Sequence, residues 1–193
     1  MEREKITQNF RRHTAVTESD MDLFFSLAEM KSLQKNEMLI EQDQPGAALT
    51  LVISGCLMTY YSDKNCDPHV MQFGREMWWT GDLQAFVENS PSLYSIKAIT
   101  ESKVAMLPKN NFDQLCREAP TFDHYFRILF QKSLVSHQKR IIRNISNTAE
   151  EKYDQFLKSH PGMELVVPQK YIASYLGITP EFLSKIRKKR VGK

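Results

Sequence analysis

A chain of 193 residues with 41% apolar and 25% charged residues has the composition of a globular protein, which excludes a disordered or fibrous one. No apolar run approaches the roughly 18–20 residues of a membrane span, and the polar start Met1-Glu2-Arg3-Glu4-Lys5 holds no signal region, so a cytoplasmic protein without membrane contact is expected. The formal net charge of +3 is uneven: from Pro168 onward Lys170, Lys185, Arg187, Lys188, Lys189, Arg190 and Lys193 face only Glu181, a local +6 that points to a polyanionic partner.

In chain order, Thr17-Glu18-Ser19-Asp20 has helix-cap chemistry, and Leu23, Phe24, Leu27 and Met30 follow at helical spacing. Residues 33–107 change to short apolar runs separated by turn residues. Residues 48–53 and 56–61 read as two strands about Ser54-Gly55. The runs 70–73, 97–100 and 104–107 continue the series, with breaks at Asp43-Gln44-Pro45-Gly46, Asp67-Pro68 and Asn89-Ser90-Pro91. This texture predicts an antiparallel sandwich or jelly roll. Trp78, Trp79, Phe86 and Tyr94 either line an apolar pocket in it or fill its core.

After Pro108 the pattern is helical. Residues 111–117 form a short helix, and Pro120 sits at a first helical position of a long one that runs to about Ser146. The apolar set Phe122, Phe126, Leu129, Phe130, Leu134, Ile141, Ile142 and Ile145 is wider at its N-terminal end than one globular face needs, which suits pairing with a twin helix in a dimer; the alternative is a helix that packs only on the sheet. Thr148-Ala149-Glu150-Glu151 is a capping box, opening a helix that stops near His160-Pro161-Gly162. The predicted organisation is a β domain over 1–119, a long linker and dimerisation helix over 120–147, and a helical domain over 148–193. Each of the two domains is expected to bury its own core.

The most informative segment is Pro168 to Lys189, PQKYIASYLGITPEFLSKIRKK. Ile172 and Leu176 lie one turn apart. Ala173 is small where a second helix must cross closely. Gly177 provides a left-handed helix end, Ile178 plugs the corner, Thr179 caps the next helix and Pro180 starts it. Leu183 and Ile186 then face the first helix, while Glu181, Lys185 and Lys188 share the outward face with Ser184. A close crossing, a fixed corner and a polar second helix are what a helix-turn-helix needs to enter a major groove. Lys185 and Lys188, with Arg187 beside them, can donate to bases or phosphates, and Glu181 can accept from a cytosine amino group. The helix starts near Gln169 and Thr179 add amide donors for phosphate.

On these residues the chain resembles the cyclic-AMP receptor protein / fumarate-nitrate regulator (Crp/Fnr) family, from about Asp20 to Lys189. The Ile53-Ser54-Gly55 turn, the Trp78-Trp79-Thr80-Gly81-Asp82-Leu83 stretch and residues 98–108 carry the rest of the likeness. The resemblance implies an α+β protein: an N-terminal double-stranded β-helix (jelly roll) sensor domain, a long dimerisation helix and a C-terminal winged-helix-like domain. It also implies a homodimer on double-stranded DNA, with RNA polymerase as a further candidate partner. Base contacts would fall to Pro180, Glu181 and Lys185.

Two departures from the family matter. Trp79, Gly81-Asp82-Leu83 and Ser92-Leu93 mark the nucleotide-pocket positions, but Ser92-Leu93 stands where binding members place Arg-Ser. An anionic phosphate without that cation forfeits on the order of 2–5 kcal/mol, so cyclic AMP is not the expected effector. Lys97 is the nearest downstream cation. Only three residues follow Arg190, which leaves a truncated wing and predicts modest binding with a steep salt dependence.

Catalysis is not expected. The five histidines (His13, His69, His124, His137, His160) are scattered singly, and Cys56, Cys66 and Cys116 show no ligand spacing, so no catalytic residue, metal or cofactor is predicted. The rival to a DNA-binding regulator is a ligand- or protein-binding β-roll sensor or scaffold whose helical end binds DNA weakly or not at all.

Overall fold

The computed structural model describes residues 2–46 and 48–191, without the side chain of Val191. Gly192 and Lys193, the last part of the basic end and of the expected truncated wing, lie outside the described residues.

The chain begins with α1 (Glu2–Arg11), an element the polar sequence conceals because only Ile6 and Phe10 are apolar and fully buried. In α2 (Glu18–Leu27) the expected cap is present: the Thr17 hydroxyl accepts from the Asp20 amide, and the Asp20 carboxylate accepts from the Thr17 amide. The helix ends sooner than its apolar spacing implies. Met30, expected on its face, lies on β1 (Glu29–Leu33) and is half exposed. The reason is backbone pairing: residues 29–33 complete an antiparallel ladder with β8 (Ser102–Pro108), and sheet formation overrides helical periodicity.

The remaining strands are β2 (Met38–Ile40), β3 (Ala48–Ser54), β4 (Cys56–Ser62), β5 (Pro68–Arg75), β6 (Trp79–Thr80) and β7 (Ser95–Ala98), with α3 (Leu83–Glu88) before the last. They form two four-stranded antiparallel sheets in the orders β1-β8-β3-β6 and β2-β7-β4-β5, the expected jelly roll. Leu33, Ile40, Val52, Leu57, Ile96, Ala98 and Val104 fill the space between the sheets. The strands read as continuous apolar runs because their outer faces are covered too. Leu49, Leu51 and Ile53 of β3 point the other way, into an aromatic-rich layer with Phe10, Phe24, Phe122 and Phe126. Gly55 turns β3 into β4 at φ +88°, and a Cβ there would lie 2.4 Å from the Glu101 carbonyl oxygen, so only glycine fits.

Two helices, α4 (Lys109–Glu118) and α5 (Pro120–Ser146), follow the roll. Phe122, Tyr125 and Phe126 of α5 are buried on the sheet, whereas Leu134, Val135, Ile141, Ile142 and Ile145 are exposed. Then come α6 (Ala149–Ser159), capped by Thr148 and Glu151 as the sequence predicts, α7 (Met163–Val166), α8 (Gln169–Leu176) and α9 (Pro180–Val191).

The helical end does not bury a core of its own, contrary to expectation. Phe156, Ile172, Ala173, Leu176, Leu183 and Ile186 join Cys56, Met58, Val70 and Phe73 of the roll in one apolar cluster. Four short helices enclose too little volume alone, and the outer face of β4 and β5 completes them.

Candidate nucleic-acid interface

The two-helix unit is built residue by residue as its sequence dictates. Ile172, Ala173 and Leu176 of α8 and Leu183 and Ile186 of α9 are all buried. Gly177 ends α8 at φ 68°, ψ 37°, and the Ile178 amide reaches back to the Ala173 carbonyl at 3.1 Å, closing the turn. The Thr179 hydroxyl accepts from the Phe182 amide at 3.2 Å and caps α9. Gln169 does not stand free at the start of α8: its amide nitrogen donates to the Pro180 carbonyl at 2.9 Å and clamps the two helix starts together.

The cations of α9 divide into two groups. Lys189 pairs with Glu150 at 2.8 Å, and Arg190 pairs with Asp154, so both charges are turned inward onto α6. Lys185, Arg187 and Lys188 have no ion-pair partner among the described residues; the two lysines are exposed and Arg187 is half-buried. Thr179, Pro180 and Glu181 are exposed at the start of α9, and Ser184 is half-buried. Phe182, about 48% exposed, belongs to the same outward region and was not singled out by the sequence reading. Its position three residues before Lys185 was the available signal. An exposed phenyl ring there suits a thymine methyl group.

The six expected nucleotide-pocket residues do not form one open pocket. Asp82 is fully buried and acts as a lock: one oxygen accepts from the Ala85 amide at 3.1 Å, the other from the Leu93 amide at 2.6 Å and the Ser92 hydroxyl at 3.1 Å. Asp82, Ser92 and Leu93 are therefore brought together by an internal carboxylate. Gly81 positions the aspartate. Leu83 points out and is 46% exposed. Trp79 belongs elsewhere, packed against Phe126 at 5.1 Å and donating to the Tyr125 hydroxyl at 2.9 Å. Burial pushes that hydroxyl up to about 12. Nor do Trp78, Trp79, Phe86 and Tyr94 line a common cavity, because Phe86 is on α3 and joins the aromatic layer with Trp79. Lys97 turns away from Asp82, donating to the Tyr171 hydroxyl of α8 at 3.0 Å.

Residues 30–119 match the cyclic nucleotide-binding domain family. Solved structures align over most of the chain. FixK2 from Bradyrhizobium japonicum is 18% identical with a TM-score of 0.72, over 84% of this chain and 83% of its own. The c-di-GMP responsive global regulator CLP from Xanthomonas campestris is 14% identical with a TM-score of 0.74, over 91% and 92%. The Thermus thermophilus Catabolite Activator Protein is 15% identical with a TM-score of 0.58, over 92% and 85%. The chain has the Crp/Fnr fold. No curated protein matches the sequence. In this fold α8 and α9 follow the long helix, and the roll contains most of the residues that match the cyclic nucleotide-binding domain family. No helix among the described residues is long and apolar enough to cross a membrane, and no group of three or more metal-ligating side chains is found among them.

Proposed function

We propose that the chain is a sequence-specific transcription regulator of the Crp/Fnr type, a cytoplasmic homodimer that reads double-stranded DNA with α9. The observation that carries this reading is the split of the α9 cations: two are spent on α6, while Lys185, Arg187 and Lys188 have no ion-pair partner among the described residues and surround an exposed helix start. Phe182 adds an apolar contact, and Glu181 an acceptor, for base edges. The dimer seam is the exposed apolar stripe of α5, from Leu134 to Ile145, which continues past the buried part of the helix. Two such copies place two α9 helices on successive turns of a two-fold operator.

Cyclic AMP is not the effector in this reading. The donors at Ser92 and Leu93 that would meet a phosphate are already held by the Asp82 carboxylate, which would also repel one. The role is regulatory rather than catalytic.

The test begins with selection of bound sequences from a random DNA pool. On the selected operator, the double variant Lys185→Ala/Lys188→Ala is expected to lose at least tenfold in affinity and to flatten the slope of log affinity against log salt by about one per lost phosphate contact. Unchanged affinity and slope in a folded variant would overturn the proposal.

A further inference from the structure

A cleft of about 700 Å³, lined by none of Asp82, Ala85, Ser92 and Leu93, opens where three parts of the chain meet. Asn9, Arg12 and His13 come from the end of α1 and the turn after it. Arg75, Glu76 and Trp78 come from the β5–β6 turn, and the corner around α7 supplies Gly162, Met163 and Val166. The volume lies within the roughly 300–1,000 Å³ usual for small-molecule sites.

Its charge is one-sided. Glu76, the carboxylate on the wall, is taken by Lys5 at 3.1 Å. Arg12 and Arg75 have no carboxylate partner among the described residues, and the Arg75 guanidinium lies flat over the Trp78 ring at 4.7 Å, which fixes it without neutralising it. His13 is held below the usual histidine range by burial, reinforced by Lys132 and Arg12. Behind Trp78, burial lowers His160 as well, with Arg75 and Arg143 acting in the same direction. The His160 Nδ1 is a buried nitrogen without a hydrogen-bond partner among the described residues. Met77, Met163 and Val166 add apolar lining.

We propose that this cleft is a binding site for a small organic anion, with a phosphate or carboxylate head between Arg12 and Arg75 and an apolar body against Met77, Met163 and Val166. Guanidinium groups suit such heads because their planar forks donate two parallel bonds to an oxyanion. The nucleotide-pocket position around Asp82 takes no part, so this site stands whether or not the chain reads DNA.

The experiment uses the full chain and 8-anilinonaphthalene-1-sulfonate, an anion with an apolar body, as the probe, followed by fluorescence and competed with inorganic pyrophosphate. One saturable site per chain is expected, displaced by pyrophosphate. Its Kd should rise tenfold or more in Arg12→Gln and in Arg75→Gln and stay unchanged in Lys64→Gln, a change on an exposed loop. Arg12 is exposed at the end of its helix region, so its variant retains the fold even if Arg75→Gln is perturbed. Absence of a saturable site, or a Kd within twofold of wild type in both arginine variants, overturns the proposal and places the dye on the apolar stripe of α5.

Discussion

Replacing Asp82 by asparagine changes one oxygen to an NH2 group and nothing in volume, so the cost isolates hydrogen bonding. The carboxylate accepts three bonds, one on Oδ1 from the Ala85 amide and two on Oδ2 from the Leu93 amide and the Ser92 hydroxyl. Asparagine has a single acceptor oxygen. With that oxygen toward Leu93, its NH2 meets the Ala85 N–H; with the reverse orientation it meets the Leu93 N–H, now 2.6 Å from the acceptor. Either way a buried amide loses its partner, about 1–3 kcal/mol, and the surviving bonds lose their charge assistance, for about 2–4 kcal/mol altogether. Urea denaturation measures the loss as a lower midpoint at unchanged slope. Ser92→Ala removes a hydroxyl whose single hydrogen lies between Asp82 Oδ2 and the Tyr94 carbonyl, 3.1 and 2.8 Å away, while the Leu93 amide keeps Oδ2 satisfied, so about 1 kcal/mol is expected. An Asp82→Asn variant within about 0.5 kcal/mol of wild type would refute the idea that this carboxylate locks the segment from α3 to β7.

Placing aspartates at Ile141 and Ile145 should convert a dimer into a monomer in analytical ultracentrifugation without lowering helix content, because both side chains are exposed on the single chain. Gly177→Ala should cost about 1–2 kcal/mol in thermal or urea unfolding, all of it conformational: φ is +68° and a Cβ would meet nothing within 4 Å. Gly177→Asn, which tolerates the left-handed region, should cost less. Ser174→Ala should sharply reduce hydrogen-exchange protection of the Val70 amide, whose acceptor is the Ser174 hydroxyl at 2.9 Å; retained protection would mean that another group takes that amide.

The parts of this fold that were legible in the sequence are those governed by local rules. Caps at Thr17 and Thr148, the Gly55 and Gly177 turns and the proline starts at Pro120 and Pro180 each follow from one residue's own chemistry. What escaped depends on distant partners. The α1 helix is polar in sequence and holds because Phe10 packs against Phe24, Phe122 and Tyr125 at 4.7–5.0 Å, contacts that no local pattern announces. At the candidate interface the basic residues were visible, but their division was not: Lys189 and Arg190 differ from Lys188 only in which side of the helix meets Glu150 and Asp154. Asp82, Ser92 and Leu93 were named together in the sequence, yet the role of Asp82 as an internal anion required knowing that Ser92 and Leu93 close over it.

The helical end is attached along β5, a strand at the edge of its sheet that also carries a bulge. Pairing with β4 runs from Cys56↔Arg75 to Thr59↔Gln72 and then skips, so that Tyr60 meets Val70 and Met71 has no partner across the ladder. β5 is also the edge strand of its sheet, so backbone groups on its outer side have no ladder partner. The helices use them: the Val70 amide donates to the Ser174 hydroxyl, which in turn donates to the Pro68 carbonyl at 2.7 Å, and the Met71 carbonyl, at the bulge, accepts from Arg140 of the long helix. Tyr175 fills the angle between them, 5.4 Å from the Phe73 ring and beneath the Arg140 guanidinium. The helix α8 therefore has two engaged faces. Tyr171, Ser174 and Tyr175 fix it to the roll, while Ile172, Ala173 and Leu176 fix α9 to it. Because Gly177 and Ile178 close the corner, α9 takes its direction from α8, and α8 is tied through Ser174 to two backbone groups of β5, the Val70 amide and the Pro68 carbonyl, and through Tyr171 to Lys97. The direction of the outward face of α9 is thus set by the roll, at the free edge of one of its sheets.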